Sequence, residues 1–263
     1  MRAQGIAMPE PVSGLPAVVF VHGIGGAAGV WATQVASFEA AGFAPAALDL
    51  PGYGGRAPVT ALDFDGLAAD VEQAIAERGL SRPVLIGHSM GGMVVQTALR
   101  RRPDAYAAAV LCCTSAAFGN ASGDFQKSFV DARLAPLDAG NSMADLAPRI
   151  VDGMVAPAAS TQVRAFAREV MSRVPADTYR AAIRCLVGFD ERAGLESIRV
   201  PVLCLAGELD PNAPPTGVER MAGKIPGARY VCLPGAGHLP NLEVPAAFDA
   251  AILGFLHDVL AWS

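Results

Sequence analysis

Short apolar runs alternate along this chain with longer stretches in which apolar residues recur every three or four positions. Ala17-Val18-Val19-Phe20-Val21 contains no polar side chain, and a run of that length and β-branched content predicts a strand buried on both faces. Similar runs lie at residues 44–48, from Val84, at 107–113, at 200–206 and at 229–233. Between them, residues 31–41, 63–78 and 90–102 have helical spacing. Leu67, Ala68, Val71 and Ile75 form one such stripe, and Gly79 and Pro103 supply stops. Regular strand–helix alternation predicts an α/β fold: a mostly parallel sheet with helices on both faces, joined by right-handed crossovers. Sheets of this kind place ligands beyond the carboxyl ends of their strands.

The rhythm breaks after residue 118. Residues 125–134, 143–155, 160–174 and 176–187 read as consecutive helices, separated by Pro136, Gly140, Pro157 and Pro175. The alternation resumes with Val200-Pro201-Val202-Leu203-Cys204-Leu205-Ala206, and a helix over 245–260 closes the chain. Helices inserted between two strands of one sheet predict a cap over its edge rather than a separate helical domain. The expected division is a core of residues 1–118 and 194–263, with a helical cap over 119–193.

Composition narrows the class. Hydrophobic residues make up 52% of the chain and charged residues 17%, which describes a large packed core and excludes general disorder. A net charge of −5, with no dense basic run, argues against a nucleic-acid surface. The five cysteines lie singly or adjacent in apolar runs, a pattern of buried free thiols in a reducing compartment. Residues 11–38 carry no Asp, Glu, Lys or Arg. Glycines and Pro16, His22 and Gln34 interrupt that span, which makes it a strand, a glycine loop and a helix rather than a membrane segment. The first residues lack a signal-peptide apolar region. A soluble, cytoplasmic protein without membrane partners is expected.

The chemistry centres on Gly87-His88-Ser89-Met90-Gly91-Gly92, directly after the apolar run from Val84. Gly-x-Ser-x-Gly between a strand and a helix is the pattern of a nucleophile elbow, a tight turn that presents a serine oxygen at the sheet edge. The following helix start aims unpaired N–H groups at that oxygen. A serine hydroxyl needs a base, and the base needs an orienting group. Of the four histidines, His22 reads as a loop-fixing residue, His88 leaves the turn away from Ser89, and His257 lies on the terminal helix. His238, in the Gly-rich loop after the last strand, is the expected base. Asp210, in the loop after residue 206, is the expected orienting acid, with Glu208 as its competitor. The order Ser, Asp, His is that expected for this elbow. Backbone N–H groups of Met90 and of Ile24, in His22-Gly23-Ile24-Gly25-Gly26, are the expected oxyanion donors. Neither a dinucleotide-binding nor a P-loop pattern is present.

These pieces, together with Asp49-Leu50-Pro51-Gly52-Tyr53-Gly54, Gly207-Glu208-Leu209-Asp210 and the run from Gly237 through Pro245 to Phe248, resemble the α/β-hydrolase superfamily over nearly the whole chain. Within it the chain looks most like capped carboxylesterases and 3-oxoadipate enol-lactonases. The superfamily usually begins with a two-strand hairpin, and the residues before Ala17 are few for that. The resemblance implies a small carboxylic ester or lactone substrate, an acyl-serine intermediate, and neither a metal nor an organic cofactor. A carbon–carbon bond hydrolase or a cofactor-free perhydrolase would use the same triad, and a non-enzymatic small-molecule receptor would use the same scaffold. Ser89 in place of a carboxylate excludes dehalogenase and epoxide hydrolase chemistry. Phe118, Phe125, Phe129, Met154, Phe166 and Met171 are candidate pocket residues in or near the cap, although most would serve cap-to-core packing. Leu239 joins Phe118 and Phe166 as an expected pocket wall. Arg133, Arg149, Arg164, Arg168 and Arg184 could bind a substrate carboxylate, as an enol-lactonase would need, although most would simply be solvated helix faces. Oligomeric state is not legible.

Overall fold

A computed structural model describes residues 14–118 and 123–260, with the Phe125 side chain outside the description. The region where an N-terminal hairpin would lie, residues 1–13, is also outside it. Six strands form one sheet: β1 (Ala17–Val21), β2 (Ala44–Leu48), β3 (Val84–His88), β4 (Ala108–Cys112), β5 (Val202–Gly207) and β6 (Arg229–Leu233). Their order is β2-β1-β3-β4-β5-β6, and every pairing is parallel. All residues of β1, β3, β4 and β5 are buried, so helices cover both faces, as the unbroken apolar runs require.

Between the early strands run α1 (Ala32–Ala40), α2 (Phe64–Glu77) and α3 (Met90–Arg101). The Asp63 carboxylate caps α2 by accepting the Gly66 N–H at 2.7 Å, and the helix buries Leu67, Ala68 and Val71. The closing segment contains α8 (Pro215–Ala222), a short α9 (Pro240–Glu243) and α10 (Pro245–Val259). Within the described residues α1 packs against α10, and α2 against α3. Strand order reverses between β1 and β3, because the chain goes from β1 outward to β2 and then returns to the other side of β1. The crevice at such a reversal is the usual ligand site of an open parallel sheet.

Between β4 and β5 lie α4 (Asp124–Asp138), α5 (Met143–Asp152), α6 (Thr161–Ser172) and α7 (Ala176–Val187). The two ends of this helical stretch meet where Ala117 bridges Asp190 and Phe118 N–H donates to Phe189 O at 3.0 Å. Two boundaries differ from the sequence expectation. Pro136 does not end α4, because in the last helical turn its missing N–H removes a single bond. The helix expected over 143–155 stops at Asp152 with Gly153 as its C-cap, and Met154 and Val155 follow as a turn, their N–H groups donating to Val151 O at 2.9 and 3.1 Å, with Met154 to Ala156 buried. Among the described residues no helix is long and apolar enough to cross a membrane.

Candidate active site

Ser89 sits between β3 and α3 with φ 53° and ψ −118°, a conformation that L-residues occupy only when the surroundings impose it. Its N–H donates to Cys112 O at 2.9 Å, and its carbonyl accepts the Thr114 hydroxyl at 2.8 Å. The turn also needs close passage to β1. A Cβ at Gly91 would collide with the Val21 carbonyl and lie 2.6 Å from the His22 carbonyl oxygen. Glycine is the residue that fits there.

His238 lies in the loop between β6 and α9, with its Nε2 3.0 Å from Ser89 Oγ and its Nδ1 2.7 Å from Asp210 Oδ2. With Nδ1–H donating to the carboxylate, Nε2 is left to accept the serine proton. Asp210 is buried, and its Oδ1 accepts the N–H groups of Asn212 at 2.8 Å and Ala213 at 3.1 Å. Burial alone would raise its pKa. The His238 charge and hydrogen bond and the two backbone donors outweigh burial and hold it below the ordinary carboxylate value. Glu208 is exposed and accepts the Gly235 N–H at 2.8 Å, so it supports the loop and does not touch the imidazole.

The glycine loop after β1 lies directly against the elbow: a Cβ at Gly23 would stand 3.0 Å from Ser89 Cβ. The Ile24 and Met90 N–H groups have no hydrogen-bond partner among the described residues. Tyr53 Oη donates to Ile24 O at 3.0 Å, and Asp49 Oδ1 accepts the Ala28 N–H at 2.7 Å. The Asp49–Gly54 stretch is thus a buttress for this loop. His22 is buried; its Nδ1–H donates to Gly23 O at 2.8 Å, and its Nε2 accepts the Leu50 N–H at 3.1 Å. That arrangement requires a neutral ring, and burial lowers its pKa.

Two residues hold the His238 main chain and were not assigned from sequence. The His88 ring turns to the His238 main chain, its Nε2–H donating to His238 O at 2.6 Å. Its pKa is pushed down to about 3, chiefly by burial and then by the neighbouring His238. Glu243 accepts three backbone N–H groups, from Ala156 at 2.7 Å, Gly237 at 3.0 Å and Leu239 at 2.9 Å. His238 N–H itself donates to Met154 O at 2.8 Å.

A cavity beside Ser89 is lined by Ile24, Val151, Met154, Val170, Met171 and Leu239, among others. Leu239, named from the sequence as a pocket wall, is among its lining residues. Phe118 and Phe166 do not line it. The Phe118 ring packs on Phe129 at 4.7 Å, while Phe166 is 39% exposed, one residue out of phase with the buried Ala167–Met171 stripe of α6. Among the described residues His88, Cys113 and His238 form a cluster with metal-ligand spacing. The His238 nitrogens and His88 Nε2 are already committed to Asp210, Ser89 and a carbonyl.

Residues 18–251 match the model of a family described as "Alpha/beta hydrolase family". The chain belongs to that family. This α/β hydrolase is 31% identical over 253 residues to a protein named putative carbamate hydrolase RutD from Variovorax paradoxus, with 93% of each chain covered. It is also 32% identical over 213 residues to polyketide synthase ThaQ from Burkholderia thailandensis; 80% of this chain matches there but only 10% of that much longer protein. The solved enol-lactonase from Burkholderia xenovorans LB400 superposes with a TM-score of 0.82 at 26% identity, covering 92% of both chains.

Proposed function

We propose that this α/β hydrolase cleaves small carboxylic esters or lactones through an acyl-Ser89 intermediate. The observation that carries the reading is the connected line from Ser89 Oγ to His238 Nε2 at 3.0 Å and from His238 Nδ1 to Asp210 at 2.7 Å. In that reading Ser89 Oγ attacks the substrate carbonyl as its proton passes to His238 Nε2. Asp210 keeps the imidazole in the tautomer with Nε2 free and stabilises the imidazolium. The N–H groups of Ile24 and Met90 receive the oxyanion, each such donor being worth about 2.7–4 kcal/mol in the transition state. The imidazolium then protonates the departing alkoxide. A water molecule, deprotonated by the same nitrogen, attacks the acyl carbon, and Ser89 leaves with the proton. No step requires a metal or organic cofactor.

Helices α4 to α7 act as a cap in this reading. Support comes from the contribution of Val151, Met154, Val170 and Met171 to the wall facing Ser89. The names of the relatives, a carbamate hydrolase and an enol-lactonase, agree with acyl transfer to water. The test is covalent labelling with a fluorophosphonate probe, read by intact mass and peptide mapping, beside turnover of p-nitrophenyl acetate. Ser89 should carry the adduct, and Ser89→Ala should lose labelling and about 10⁶-fold in kcat. Unlabelled wild-type protein, or turnover that survives in Ser89→Ala, would remove the acyl-serine reading.

A further inference from the structure

We propose that the site accepts short, uncharged acyl groups, and that Met171 sets the chain-length limit. This rests on the acyl-serine reading above and specifies its substrate. The cavity beside Ser89 measures about 40 Å³, roughly the room of three water molecules by the same measure. That volume fits an acetyl to butyryl chain next to the reacting carbonyl and nothing much longer.

The limit has an identifiable cause. Met171, 2% exposed on α6, presses its terminal methyl against Gly25 in the glycine loop, so closely that a Cβ at that position would overlap it. An unbranched thioether thus fills the space between the cap and the oxyanion loop. Shortening it removes three heavy atoms from the wall opposite Ser89 and lengthens the cavity by about two or three carbons' worth of space.

The charge preference follows from what is missing around that wall. Among the described residues lining the cavity there is no Lys, Arg, Asp or Glu. The arginines of the inserted helices are turned elsewhere. Arg164 and Arg168 bind Asp152, with Arg164 also donating to the Ala156, Pro157 and Ala159 carbonyls. Arg133 lies over the Phe129 ring at 4.7 Å, and Arg149 and Arg184 are exposed. A carboxylate brought into an apolar cavity without a counter-charge pays its desolvation unrelieved. The site therefore disfavours substrates with a free carboxylate near the reacting carbonyl.

The experiment measures kcat/KM for p-nitrophenyl acetate, butyrate, hexanoate and octanoate, and for the p-nitrophenyl monoester of glutaric acid. Wild type should favour acetate and butyrate over octanoate by at least about tenfold, and the glutarate monoester should fall about 100-fold or more below hexanoate or butyrate, whichever is lower. Met171→Ala and the milder Met171→Val should move the optimum toward hexanoate, while Met171→Leu retains the wild-type order. Octanoate turned over as well as butyrate, an unmoved optimum in both smaller variants, or full activity on the charged ester would overturn the inference. Those results with Ser89 still labelled by the fluorophosphonate leave the acyl-serine reading standing. Absence of both labelling and turnover removes that reading and this inference together.

Discussion

Acidification is expected to destabilise this protein well above the carboxylate range, because two buried imidazoles are held neutral. His88 donates from Nε2 to the His238 carbonyl, and burial, reinforced by His238, pushes its pKa down to about 3. Asp210 opposes that shift, His22 adds to it, and the Cys113 thiol completes the surroundings. His22 is lowered as well, again by burial. In the unfolded chain a histidine titrates near 6.5. Above that value folded and unfolded chains bind the same number of protons at these sites, and the full stability is present. Below it the unfolded chain takes up a proton that the folded site refuses. Stability is then lost as pH falls, at up to about 1.4 kcal/mol per pH unit for each histidine, until the folded value is reached. Between pH 6.5 and 5 this amounts to about 2 kcal/mol for His88, or roughly 4–8 °C in Tm for a chain of this size. The Asp249 carboxyl, raised by burial, changes stability in the opposite sense, and Asp210, held low, acts only at lower pH. Asp249 is bonded to Gln34 rather than to either histidine, and Asp210, held below the ordinary carboxylate value, does not titrate between pH 7 and pH 5. The assay is the melting temperature at pH 7 and pH 5 for wild type, His88→Gln and His22→Gln. Each variant should show a smaller drop than wild type, by roughly 4–8 °C for His88→Gln. Equal drops in all three proteins would show that these rings are not the neutral buried groups described.

The remaining expectations concern the support of His238. Glu243→Ala strips an acceptor from three backbone N–H groups and should cost about 2–4 kcal/mol, or roughly 4–16 °C in Tm, with Glu243→Gln between it and wild type; an unchanged melting temperature would refute the role. Asp210→Asn should lower kcat on p-nitrophenyl acetate by about 10⁴-fold with little change in KM, whereas Glu208→Gln should stay within about threefold of wild type. Similar losses in both variants would overturn the choice between the two carboxylates.

What the sequence made legible divides along a physical line. Strands β1, β3, β4 and β5 could be read because both of their faces are buried, which forces a run of apolar residues. Helix α8 was not anticipated: Pro214, Pro215 and Gly217 at its start look like a loop, and its buried stripe is only Val218, Met221 and Ala222. Ser89, Asp210 and His238 could be nominated because each residue type has few rivals at the sheet edge, and the structure brings the three together. Pocket residues could not be chosen the same way. On α6, Ala167 and Met171 face inward while Phe166 is turned about 100° away, and helical spacing alone does not say which stripe meets the core.

Least legible were the residues that fix the base without touching its ring, and the reason lies in where the base sits. His238 belongs to a loop, so no helix or strand ladder satisfies its backbone or fixes its direction. Its polar main chain must find partners elsewhere. Two come from distant segments and one from close by: Met154 O takes the His238 N–H, His88, 150 residues away in sequence, donates to the carbonyl, and Glu243 of the adjoining α9 takes the N–H groups on either side. Glu243 also binds Ala156 N–H, so one carboxylate ties the imidazole's loop to the segment that follows α5. A flexible loop can hold a base to catalytic tolerance only when its backbone is fixed from outside in this way. Here the fixing groups are contributed by the turn after α5, by α9 and by the elbow itself.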